Sequence, residues 1–74
     1  MTHEQINAKF TRTINNAAGT NVRGVVYLDE SVGLTGTPDD VKAAAEWLVR
    51  AAGLRLTFME TDEEDGDCGA VLRK

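Results

Sequence analysis

The sequence predicts an α+β two-layer sandwich in which two helices, in the order αβαββ, pack on one face of a small mixed three-stranded sheet. Three observations carry this. A capping pattern followed by apolar residues at helical spacing opens the chain, the segment Thr37-Pro38-Asp39-Asp40 marks a second helix start, and alternating or β-branched runs occupy residues 22–29, 54–60 and 68–73. At 74 residues the chain holds one domain, 1–74, with a core that has little stability to spare.

Each element has a local reason. Thr2 and Gln5 stand at the spacing of a capping box, and Ile6, Phe10, Ile14 and Ala17 then recur on one helical face up to Gly19. Thr11, Thr13, Asn15 and Asn16 are poor helix formers within that stretch. Residues 22–29 (VRGVVYLD) read as a strand, and Glu30 to Gly36 as a loop, or as a loop carrying a short fourth strand over Ser31 to Leu34. Thr37 caps the second helix, Pro38 takes the first position, where no N–H is needed, and Asp39 and Asp40 face the positive end of its dipole. Val41, Ala45, Leu48 and Ala52 form its apolar stripe, and Gly53 supplies the left-handed end. Leu54 to Glu60 alternates as a strand, Thr61 to Asp67 reads as a hairpin loop, and Cys68 to Arg73 alternates again.

Alternation assigns the two faces of the sheet. Val22, Gly24, Val26, Leu28, Leu54, Leu56, Phe58, Cys68, Ala70 and Leu72 are expected under the helices. Arg23, Val25, Tyr27, Asp29, Arg55, Thr57, Met59, Val71 and Arg73 are expected on the open side, a mixture of apolar residues and arginines of the kind enriched at protein interfaces. Trp47 lies off the centre of the second helix's stripe beside Ala43, Ala44 and Ala51. It either covers the seam where the first helix docks or stands exposed as a binding anchor.

The net charge of -4 comes from one segment. Residues 1–59 carry six acids and six bases, whereas Glu60, Asp62, Glu63, Glu64, Asp65 and Asp67 fall within eight positions. Such a chain has no electrostatic drive toward duplex nucleic acid or an anionic membrane, and the acidic loop suits a partner with a basic surface. As a calcium loop it fails: with Gly66 in the sixth position, the first falls on Thr61 and the twelfth on Leu72.

Chemistry has little to work with. His3, Ser31 and Cys68 are the only histidine, serine and cysteine, so no catalytic constellation, metal-ligand spacing or intramolecular disulfide is expected, and no cofactor is implied. Gly33-Leu34-Thr35-Gly36 leads into a helix whose start is already occupied by two acids, which argues against a phosphate site. The lone thiol and the absence of a signal-peptide pattern in MTHEQINAKF point to the cytoplasm. The expected function is that of a non-enzymatic protein-binding domain. The concrete expectation is a small acidic inhibitor or adaptor of the kind mobile elements and phages encode against host machinery, anti-CRISPR proteins being one example. The alternative is a structural subunit that forms a homodimer through its open sheet face. A single-strand nucleic-acid binder using Arg23, Arg55, Arg73 and Tyr27 is weaker, because this face is expected to carry one stacking aromatic where such surfaces use two or more.

Overall fold

The computed structural model describes residues 1–62, 64 and 66–74. The elements are α1 (His3–Ala18), β1 (Arg23–Val26), β2 (Val32–Gly36), α2 (Pro38–Ala52), β3 (Arg55–Thr61) and β4 (Cys68–Arg73). Both helices start and stop where their caps dictate. The Gln5 amide donates to the Thr2 hydroxyl and the Thr2 amide to the Gln5 side chain, and Gly19 closes α1 at φ 67°. Thr37 accepts from the Asp40 amide, Pro38 begins α2, and Gly53 ends it at φ 68°.

The strands lie in the order β1-β2-β4-β3, and every neighbouring pair is antiparallel. The α+β sandwich therefore stands, with the optional strand present as β2. The sheet is four-stranded and antiparallel, where three mixed strands were expected. The cause is the β1/β2 hairpin together with the insertion of β4. Strands β2 and β3 run in the same direction on either side of α2, and β4 lies between them. The crossover is thereby split and no parallel ladder forms.

Residues from both layers make the core. Ile14 of α1 and Val41, Ala44, Ala45 and Leu48 of α2 cover Val32, Leu34, Cys68, Ala70 and Leu72 of the sheet. Cys68 is one of the most deeply buried side chains, a small apolar core residue with a free thiol.

Two expectations about the sheet faces fail, each for an identifiable reason. Leu28 is 97% exposed, because the chain leaves the strand after Val26. The Tyr27 amide donates to the Ser31 carbonyl and the Glu30 amide to the Tyr27 carbonyl, which closes a turn with Glu30 at φ 68°. The second failure lies in β3. Leu56 pairs with Leu72, but the next paired residue is Phe58, opposite Val71, so Thr57 is a bulge. Beyond it every side chain changes face. Phe58 and Glu60 go to the open side, while Met59 turns to the helix side opposite Ala70. Met59 is thus removed from the open face.

The polar residues of α1 have a structural use. Asn7, Thr11 and Asn15 recur every fourth residue and pair with the outer edge of β1. The Val26 amide donates to Asn7 (2.9 Å), and the Gly24 amide to the Thr11 hydroxyl (2.9 Å), which donates in turn to the Gly24 carbonyl. Asn15 accepts from the Val22 amide (2.9 Å) and donates to its carbonyl (3.0 Å). Four helical residues rise about 6 Å and two strand residues about 6.7 Å, so the two repeats stay nearly in step over three rungs. The helix thereby covers an edge that would otherwise expose unpaired backbone. Close approach requires Gly24, since a Cβ there would fall 2.7 Å from the Phe10 ring.

Candidate recognition surface

The antiparallel register builds the open face row by row. Val25, Gly33, Val71 and Phe58 are successive cross-strand neighbours on β1, β2, β4 and β3. The gap at Gly33 is filled by Tyr27, whose hydroxyl would lie 2.9 Å from a Cβ placed there. An apolar row with two rings therefore crosses all four strands. Tyr27 is 47% and Phe58 54% exposed. On one side of the row, Arg73 stands opposite Arg55; on the other run Arg23, Thr35, Gly69 and Glu60.

The β1/β2 turn holds Tyr27 in place. Asp29 accepts hydrogen bonds from the Ser31 hydroxyl and amide, and its carboxylate lies 3.7 Å from the Arg73 guanidinium. The two bonds from Ser31 hold the Asp29 carboxyl below the usual carboxylate value against an opposing desolvation effect, and Arg73 adds to the lowering. A depressed folded-state value means that this contribution is complete above the unfolded-state value. It is lost as pH falls through the folded one. A carboxyl-carbon NMR titration should accordingly place Asp29 below the ordinary aspartate value, and Ser31→Ala should move it back toward that value. An Asp29 midpoint unchanged by Ser31→Ala would show that the turn bonds are not its cause.

Of the acidic loop, Glu60, Asp62, Glu64 and Asp67 are exposed, while Glu63 and Asp65 lie outside the described residues. The Asp62 amide donates to the Asp67 carbonyl (2.6 Å), and the Gly66 amide to the Asp62 carbonyl, with Gly66 at φ 72°. Glu60 sits at the junction of this loop and the open face, so its carboxylate borders the apolar row.

Trp47 is half-buried and packs against the core. His3 is exposed at the first residue of α1. Among the described residues no group of three His, Cys, Asp or Glu side chains is placed to hold a metal ion. Among them, too, no helix is long and apolar enough to cross a membrane.

The residue that alternation missed is Phe58. Leu54, Leu56 and Phe58 share parity, and nothing within Arg55–Thr61 announces the bulge. It becomes visible only in the register of β3 against β4. No family model matches the chain, and neither the curated proteins nor the solved structures yield a match.

Proposed function

We propose that this domain is a non-enzymatic protein-binding module, an inhibitor or adaptor that acts by covering a partner's surface with its open sheet face. The observation that supports this is the row Val25, Tyr27, Val71 and Phe58, which crosses all four strands with Tyr27 and Phe58 exposed and Val25 and Val71 half-buried, and is bordered by Arg23, Arg55 and Arg73. Aromatic residues and arginine around an apolar centre are the composition of interface hot spots. The acidic loop beside it steers a basic partner surface toward the face and sets the association rate more than the final affinity.

Affinity capture from a native lysate tests this with three proteins in parallel: the wild type, Tyr27→Asp, and a variant with Glu60, Asp62 and Glu64 changed to Gln, Asn and Gln. Tyr27→Asp should lose the partner. The neutralised variant should keep it while associating more slowly, with a flatter salt dependence. A partner retained by Tyr27→Asp at wild-type affinity would contradict the proposal.

Phe58 also favours a second reading. With Tyr27 it gives the face the two stacking rings that a single-strand nucleic-acid surface uses, beside three arginines. Fluorescence anisotropy with a labelled single-stranded oligonucleotide separates the two. Salt-sensitive binding lost in both Tyr27→Ala and Phe58→Ala would favour the nucleic acid.

A further inference from the structure

The two edges of the sheet are treated differently. The edge at β1 is closed by Asn7, Thr11 and Asn15 of α1, whereas among the described residues β3, the longest strand, pairs only with β4 and has no element along its outer side. Beside that edge a groove of about 450 Å³ runs between β3 and α2, floored by Val49, Leu56 and Met59 and rimmed by Lys42, Glu46 and Arg50. Leu56, Phe58 and Met59 are all substantially exposed along the same strand. Among the described residues, the ladder sets no opposite charge against either charge of β3. Arg55 faces Arg73 across the ladder and hydrogen-bonds the Lys74 carbonyl, and Glu60 faces Gly69.

We propose that β3 pairs antiparallel with β3 of a second copy about a two-fold axis, giving a homodimer with one continuous eight-stranded sheet. The sequence of the strand and its bulge select one register: Arg55 opposite the partner's Glu60, Leu56 opposite the partner's Met59, and Thr57 opposite the partner's Phe58. In this register each arginine meets a carboxylate, and symmetry makes the pairing twice. Leu56 and Met59 face the groove in both copies only because Thr57 is a bulge, so the irregularity that spoils simple alternation is what lets them oppose each other. A shift by one residue sets Leu56, on the helix side, against Glu60 or Phe58, on the open side, and loses the match. The partner strand occupies the outer backbone of β3 and its Leu56 and Met59 close the groove. The apolar row of the open face then continues from one copy to the other. The dimer is made through the edge backbone and the groove, with Arg55 and Glu60 at the border of the open face; its test reads the oligomeric state, which is distinguishable from loss of partner capture.

Sedimentation equilibrium from micromolar to millimolar concentration tests it on four proteins, with melting temperatures as the control for folding. The wild type should approach twice the chain mass of 8.0 kDa. Arg55→Glu and Glu60→Arg should each weaken dimerisation on the order of tenfold by setting like charges opposite each other at two symmetric places. The double variant Arg55→Glu with Glu60→Arg should restore it. A wild type that stays monomeric throughout would overturn the proposal. So would a dimer indifferent to the single reversals, or one that the double reversal fails to restore.

Discussion

Asn15→Ala should lower the stability of the domain by about 2–4 kcal/mol, an effect in the range of truncating a buried leucine or isoleucine. The reason is that one side chain serves both backbone groups of Val22, a residue only 4% exposed, and also accepts from the Thr20 hydroxyl. Its removal leaves a buried N–H and a buried carbonyl without partners at the point where α1 joins β1. The intrinsic gain of alanine over asparagine in a helix, about half a kcal/mol, offsets little of this. In a domain of this size the loss corresponds to a fall in melting temperature of about 8–32 °C. Asn16→Ala, on the exposed side of the same helix, should leave the melting temperature unchanged or slightly raised. Equal responses from the two variants would mean that the pairing between α1 and the edge of β1 does not hold the helix.

Phe58→Thr gives the sharpest contrast between regular alternation and the observed register. If β3 alternated without interruption, Phe58 would lie under α2, and truncating it would cost about 3–5 kcal/mol. With the bulge at Thr57 its ring is on the open face, and threonine is a good strand former, so the change should stay within about 1 kcal/mol in urea denaturation. Deleting Thr57 should likewise be tolerated. It returns β3 to a regular strand in which Leu56 and Met59 still face α2 and Phe58 still faces outward. A large loss of stability in Phe58→Thr would place the ring in the core and remove it from the recognition surface.

These two residues also show which parts of the molecule are legible in a single sequence. Helix ends are, because capping is a contact between residues three to five apart: Thr2 with Gln5, Thr37 with Asp40, and the glycines that end each helix. The core stripe of α2 and the burial of Cys68, Ala70 and Leu72 are legible for the same reason, since periodicity is local. The β1/β2 turn was partly legible. Asp29 and Ser31 have the spacing of a side-chain-capped turn, but Tyr27 and Leu28 beside them are strand-like residues.

What could not be read depends on partners distant in sequence. Asn7, Thr11 and Asn15 look like weak helix formers until β1 is placed beside them, between 7 and 19 residues away. The bulge at Thr57 is invisible until β3 is laid against β4, and with it go the positions of Phe58 and Met59. The open face was thus anticipated in Arg23, Val25, Tyr27, Arg55, Val71 and Arg73. The exchange of Phe58 for Met59 gives it a second ring and frees Met59 to line the α2/β3 groove.

The most direct measurement of the central claim is side-chain NMR of the domain, free and saturated with the partner it captures. Recognition through the open face requires the Tyr27 and Phe58 rings and the Val25 and Val71 methyl groups to shift together, while Val49, Met59 and Trp47 stay in place. Shifts confined to Val49 and Met59, or to Trp47, with the four residues of the row unmoved, would contradict it.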